Sequence, residues 1–114
     1  KSMREVYRDR KITAIFQPHL YTRTRDFYRE FAEALSQLDE VILCDIYPAR
    51  ELPIEGVTSK LIYDNLSPNV EKSMIHKEDV LQLVKERDFD VLIILGAGDL
   101  DNYVPQIAEI INNK

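Results

Sequence analysis

Apolar and polar residues follow two different periods along the chain, and together these periods predict strands separated by helices. Short, mostly apolar runs typical of β-strands cover residues 11–17, 40–46, 73–76 and 90–95. Apolar residues recur at helical spacing in residues 27–38, 58–66, 80–84 and 100–111. Strands that alternate with helices form βαβ units whose strands lie parallel in one sheet. The pattern therefore predicts an α/β domain with a mainly parallel sheet.

Composition narrows the class of protein without identifying its function. The 114 residues suffice for one domain, and 45% apolar with 31% charged residues is ordinary for a globular protein. Residues 1–29 carry eight Lys or Arg against three Asp or Glu, whereas the remainder carries seven against seventeen. The acidic bulk argues against nonspecific nucleic-acid binding, and no apolar run approaches the roughly 20 residues of a membrane helix. We therefore expect neither a nucleic-acid nor a membrane partner.

The segment after the first predicted strand is the strongest candidate site. Residues 16–26 read Phe-Gln-Pro-His-Leu-Tyr-Thr-Arg-Thr-Arg-Asp. Ligands of open α/β sheets bind at the carboxyl ends of the strands, and the planar donors of arginine match carboxylates and phosphates. We therefore predict a site for a small anion, with candidate ligands His19, Tyr21, Thr22, Arg23 and Arg25.

A purely structural interpretation of the same segment stays open. In that interpretation Thr24 caps the following helix, Asp26 favours the first helical turn, and both arginines are solvated. The residues alone favour the two interpretations about equally.

A second polar loop follows the last predicted strand and reads Gly96-Ala97-Gly98-Asp99. Its glycines would let backbone amides approach a ligand, and a parallel sheet would place it on the same edge as the first loop. It is not a dinucleotide fingerprint, because the third glycine position is Asp101, and it lacks the P-loop lysine. Pro105 predicts a helix whose first turn contains that proline, with residues 96–100 as a loop. The alternative is a tight connection that needs positive φ.

The remaining reactive residues are weaker candidates. Cys44 is the single cysteine and lies in an apolar run, so we expect a core side chain. We expect His76 to be exposed, Asp45 to face the loop edge or serve as a turn residue, and Tyr47 to cover the cleft or simply pack. Neither a metal-ligand spacing nor a catalytic set can be assembled, so we predict no catalytic residue and no metal site.

Three stretches of the sequence resemble the C-terminal domain of the bacterial Mur ligases, and of their alanine-adding branch in particular. The stretches are residues 16–26, residues 45–57, and residues 96–99 followed by an apolar helix. The similarity covers nearly the whole chain in order, and the first motif is long and specific.

The resemblance implies a Rossmann-like three-layer fold for residues 1–114, excised from a three-domain cytoplasmic enzyme. Mur ligases use ATP and Mg²⁺ to form an acyl phosphate from a substrate carboxylate, which the amine of an amino acid then attacks. For the alanine-adding branch the substrates are UDP-N-acetylmuramate and L-alanine, and the product serves peptidoglycan synthesis. In that branch the histidine and first arginine of the motif are associated with the L-alanine site, which implies this role for His19 and Arg23.

Departures from the family pattern limit what this chain is expected to do by itself. The sequence contains neither the Tyr/His-rich stretch that usually opens the domain nor the Walker motif of the central domain. Leu20 stands where some relatives have a third basic residue. We therefore expect the fragment to hold no cofactor and to be inactive without the N-terminal and central domains. The alternative from a different class is a free-standing α/β module that binds a small anion or regulates another protein.

Overall fold

The computed structural model describes residues 9–96 and 99–114, and the side chains of all of these except residues 99–101. The strands are β1 Ile12–Gln17, β2 Glu40–Leu43, β3 Glu71–Met74 and β4 Val91–Gly96. The helices are α1 Tyr21–Leu35, α2 Lys60–Asn65, α3 Val80–Glu86, which follows a 3₁₀ turn at Lys77–Asp79, and α4 Asp99–Asn112. All three strand pairings are parallel, so the predicted α/β class and parallel sheet are confirmed.

The strand order in the sheet is β3-β2-β1-β4. The chain steps outward from β1 to β2 and β3, and then returns to add β4 on the other side of β1. The order therefore reverses between β1 and β4, and open α/β sheets bind ligands beyond the carboxyl ends of the strands at such a switch point. Gln17 and Gly96, the last residues of these two strands, are register partners. The two loops predicted from the sequence therefore start side by side.

Helices cover both faces of the sheet, which gives the three layers that the resemblance implied. One buried cluster joins β1 and β2 to α3 and α4, through Ile15, Ile42, Cys44, Val80, Val84 and Ile107. The other joins β2 to α1 and α2, through Val41, Leu43, Ala32, Leu35, Ile62 and Leu66. Successive residues of β2 point to opposite clusters, which explains its unbroken apolar sequence. Among the described helices, none combines the length and apolar character needed to cross a membrane.

The first helix corrects the sequence prediction, since α1 begins at Tyr21 rather than at residue 27. Thr24 therefore lies inside the helix, is fully buried, and donates its hydroxyl hydrogen to the Leu20 carbonyl at 2.8 Å. It does not cap the helix. The buried face passes through Thr24, Ala32 and Leu35, whereas Phe27, the first apolar residue of the predicted range 27–38, is 49% exposed.

The last helix also begins earlier than predicted. Because α4 starts at Asp99, Pro105 lies inside the helix rather than in its first turn, and the predicted loop through residue 100 is too long. The preference of proline for the first turn is local, whereas Ile107 anchors this helix in the core. Ala97 and Gly98 lie outside the described residues.

Candidate functional site

Residues Pro18–Leu20 connect β1 to α1 through a strained turn. Leu20 has φ 73° and ψ 140°, a positive φ that residues with a side chain rarely adopt. Its N–H donates to the Tyr47 carbonyl at 2.8 Å, and the Tyr47 N–H donates to the Pro18 carbonyl at 2.8 Å. Strained backbone persists where its surroundings enforce it, and such places cluster at functional sites. The enforcing element here is the loop of residues 44–59 that joins β2 to α2.

The imidazole of His19 is fixed by the same loop. His19 forms an isolated parallel bridge with Tyr47, and the two rings stack with centroids 5.7 Å apart and planes inclined by 21°. Both residues are half-buried. Of the two roles predicted for Tyr47, packing is the one observed, and the residue it packs against is a candidate ligand.

A carboxylate from the 44–59 loop caps α1. Glu51 Oε1 accepts hydrogen bonds from the backbone N–H groups of Tyr21 at 2.6 Å and Thr22 at 3.1 Å, and Oε2 accepts the Thr22 hydroxyl at 2.5 Å. The bond from the Thr22 hydroxyl, together with the two backbone bonds, holds the pKa of Glu51 below its usual value. The N-cap residue itself, Leu20, has no side-chain group that could do this. Glu51 therefore explains the early start of α1.

Sequence reasoning did not assign Glu51 to the site. The residue lies within the second stretch that resembles the Mur ligases, but its partners are about 30 positions away along the chain. The one local signal was the length of the 44–59 loop, because long irregular loops in compact domains are usually functional.

The two arginines of the motif are in different environments. Arg25 Nε pairs with the adjacent Asp26 Oδ1 at 2.9 Å, which raises the pKa of Arg25 and lowers that of Asp26. Arg23 is exposed, and no hydrogen bond or ion pair joins it to another residue in the described part of the chain. Arg23 is therefore the guanidinium of this segment that is open to an external anion.

The second predicted loop begins at Gly96, whose φ is 145°. A Cβ on this residue would lie 2.8 Å from the Gln17 carbonyl oxygen, so the close approach of the two strands requires glycine. The positive φ that the sequence left open as the structural alternative is therefore observed at Gly96. Asp99 is the first residue of α4.

A cavity of about 370 Å³ adjoins the turn at the carboxyl ends of β2 and β3. Its lining includes Tyr21, Cys44, Asp45, Val57, Ser59 and Met74. Cys44 is a core side chain, as predicted, and burial raises the pKa of its thiol to about 12. The thiol is therefore protonated at neutral pH and unsuited to nucleophilic chemistry.

One group of described side chains has the composition of a metal site, although the sequence predicted none. Ligand atoms of Asp45, His76 and Glu78 lie within 4.8 Å of one another, and all three residues are exposed. His76 Nδ1 lies 3.2 Å from Asp45 Oδ2, and this hydrogen bond raises the pKa of His76. The hydrogen bond between Asp45 and His76 therefore explains why these two side chains lie close together without a bound ion. His76 is exposed, as predicted.

The fold and the site define an α/β domain of the Rossmann-like class, with a basic, polar segment at its switch point. No family model matches the chain. The chain is 68% identical over 113 residues to the UDP-N-acetylmuramate–L-alanine ligase of Phocaeicola vulgatus, covering 99% of the chain and 25% of that relative. It is 49% identical over 114 residues to the Flavobacterium johnsoniae ligase of the same name, again 25% of the relative.

A third relative is the UDP-N-acetylmuramate–L-alanine ligase of Porphyromonas gingivalis, with 55% identity over 105 residues. The resemblance to the Mur ligases that the motifs indicated is therefore confirmed. The chain spans about a quarter of the length of these curated relatives.

Proposed function

We propose that the chain is the C-terminal domain of a UDP-N-acetylmuramate–L-alanine ligase, an enzyme of the bacterial cytoplasm that serves peptidoglycan synthesis. The observation that carries this proposal is the 68% identity over 99% of the chain to a protein of that name. We assign the remaining length of such relatives to N-terminal and central domains that hold UDP-N-acetylmuramate, ATP and Mg²⁺. The present sequence contains no P-loop, which supports ATP binding outside this domain.

The proposed reaction makes an amide bond in two steps. A carboxylate oxygen of UDP-N-acetylmuramate attacks the γ-phosphorus of ATP, which forms an acyl phosphate and releases ADP. The amine of L-alanine then attacks the acyl carbon, inorganic phosphate leaves, and the nitrogen loses a proton. No side chain becomes covalently attached in either step, so the contribution of the protein is positioning and charge stabilisation.

In this proposal the domain positions the incoming amino acid. We assign Arg23 to the alanine carboxylate, because its planar guanidinium suits a carboxylate and has no partner among the described residues. We assign His19 to the alanine amine, since a neutral imidazole nitrogen accepts a hydrogen bond. Arg25 is already paired with Asp26 at 2.9 Å, so we assign it no direct contact with the alanine carboxylate.

The other predicted ligands have supporting assignments. Tyr21 and Thr22 donate hydrogen bonds to Glu51, so we assign both residues to stabilising the first turn of α1. The Gly96-Ala97-Gly98-Asp99 segment remains a proposed part of the site, because it begins beside Gln17 at the same edge of the sheet.

The proposal is tested on the full-length protein that contains this sequence. We expect sustained phosphate release from ATP only when UDP-N-acetylmuramate and L-alanine are both present, with UDP-N-acetylmuramyl-L-alanine as the product. A preference for a different amino acid would contradict the assigned substrate. A full-length protein without any ATP-dependent ligation would instead favour a free-standing binding module.

A further inference from the structure

The 44–59 loop holds the candidate site at two places. Its first contact, through Tyr47, fixes the strained turn at Leu20 and stacks on the His19 ring. Its second contact, through Glu51, caps the first turn of α1, which carries Arg23. The two residues that we assign to the amino acid therefore each depend on one side chain of this loop.

The backbone of the loop places Glu51 beside the first turn of α1. Ala49 has a φ of 52°, a left-handed conformation that is unfavourable for residues with a side chain. The Glu51 N–H donates to the Pro48 carbonyl at 2.9 Å, which closes a tight turn just before the carboxylate. At the base of the loop, the Ser59 hydroxyl donates to the Cys44 carbonyl at 2.5 Å. These two hydrogen bonds stabilise the folded loop and offset the cost of the left-handed Ala49.

The cap also limits how an anion can bind. An uncapped helix N-terminus attracts anions through its free N–H groups. In this chain the N–H groups of Tyr21 and Thr22 already donate to Glu51. While the cap is in place, a ligand carboxylate cannot use these two N–H groups, whereas Arg23 supplies an open guanidinium.

We propose that Glu51 is a positioning residue for the amino-acid site, which acts through Tyr21 and Thr22 to hold the first turn of α1 and thereby orient Arg23. Glu51 does not touch the substrate in this proposal. The inference rests on the proposed function, in which Arg23 binds the carboxylate of L-alanine.

The test uses steady-state kinetics of the full-length ligase. We expect Glu51→Ala to raise the KM for L-alanine by roughly 10- to 100-fold, because a small displacement of a binding group has an effect of that size. The KM values for ATP and UDP-N-acetylmuramate should stay unchanged. Glu51→Gln keeps one acceptor oxygen for the helix N–H groups, but it loses the charge and the second oxygen, which accepts the Thr22 hydroxyl. We expect this variant to recover most of the affinity, with a KM raised roughly 2- to 5-fold.

A matched control is available in the same loop. Glu55 is an exposed carboxylate to which no hydrogen bond or ion pair is assigned within the described residues. We expect Glu55→Ala to leave all three KM values unchanged. Thr22→Val removes the hydroxyl that donates to Glu51, so its effect on the L-alanine KM should not add to that of Glu51→Ala.

The outcomes separate this inference from the proposed function. If Arg23→Ala raises the L-alanine KM but Glu51→Ala does not, the positioning role is wrong while the proposed function stands. If neither variant changes that KM, both the assignment of Arg23 to the alanine carboxylate and the positioning role are wrong. The proposed function itself fails only if the full-length protein does not ligate L-alanine. A lower melting temperature of Glu51→Ala with an unchanged KM would show a merely structural cap, and a lowered KM would show that Glu51 competes with the ligand. If Glu51→Ala does not fold, the L-alanine KM values of Glu51→Gln and Thr22→Val are compared with that of Arg23→Ala instead. Unchanged values in both variants would then contradict the positioning role.

Discussion

Gln17 and Gly96 end neighbouring strands, and they lie so close that a Cβ on Gly96 would be 2.8 Å from the Gln17 carbonyl oxygen. The φ of Gly96, 145°, is also one that other residues rarely adopt. The contact joins β1 to β4 across the switch point of the sheet. The contact therefore fixes the distance between the points where the two candidate loops start.

We expect Gly96→Ala to lower the free energy of unfolding by more than about 2 kcal/mol, because the new Cβ adds a backbone clash to an unfavourable φ. Urea denaturation of the 114-residue chain measures the change. Gly56 is the matched control, since its φ of 80° is also positive but no atom lies within 4 Å of a Cβ built there. We expect Gly56→Ala to cost only about 1 kcal/mol, and equal effects of the two variants would argue against a close contact at Gly96.

A second stability test concerns the ion pair of Glu40 and Arg87 at the opposite end of the sheet. Arg87 Nη1 and Nη2 lie 3.0 and 2.8 Å from the two carboxylate oxygens of Glu40, whose side chain is 8% exposed. We expect Arg87→Ala to cost about 1–3 kcal/mol at pH 7, because it leaves a buried carboxylate without its main partner. Arg10→Ala, which removes the exposed pair with Asp90, should cost less than about 1 kcal/mol.

The same pair predicts a pH dependence. Hydrogen bonding to Arg87 lowers the pKa of Glu40 below its ordinary 4.5. A lowered folded-state pKa contributes stability above the unfolded pKa, and this stability is lost as the pH falls through the folded value. The difference in unfolding free energy between wild type and Arg87→Ala should therefore shrink as the pH falls below 4.5. A difference that stays constant from pH 7 to pH 3 would show that the pair does not titrate as described.

The periodicity of the sequence was sufficient to predict the fold class and the four strands, with errors at their ends. The third strand is Glu71–Met74 rather than residues 73–76. An edge strand with exposed polar residues gives a weak apolar signal, whereas Val91–Gly96 and Ile12–Gln17 lie close to their predicted ranges. Buried parallel strands are recognisable because both of their faces are apolar.

The start of α1 could not be predicted from local sequence. Helix starts are recognised from a capping side chain at the N-cap, and here that position is Leu20. The group that satisfies the first N–H groups belongs to Glu51, about 30 residues further along. The residue types of the site could be predicted from the motif. Only the structure shows that Arg25 is paired with Asp26 whereas Arg23 is open.

We expect the isolated chain to fold but to have neither ATPase nor ligase activity. Its sequence contains no P-loop with which to hold the phosphates of ATP. Phosphate release and product formation by the purified 114-residue chain, folded as judged by circular dichroism, are the measurements. Turnover above that of a mock purification from a host with its own ligase removed would show that catalysis does not need the other domains.

The central claim is that Arg23 binds the carboxylate of L-alanine in the full-length ligase. The most direct measurement is the KM for L-alanine of Arg23→Ala, with Arg29→Ala as the control on the same helix, because Arg29 is exposed and lies over the Tyr28 ring. Loss of a charge-assisted contact should lower kcat/KM for L-alanine roughly 10- to 150-fold through a raised KM. Arg23→Lys should recover only part of this loss, and Arg29→Ala should behave as wild type. An unchanged KM and kcat for L-alanine in Arg23→Ala, with normal use of ATP, would contradict the assignment.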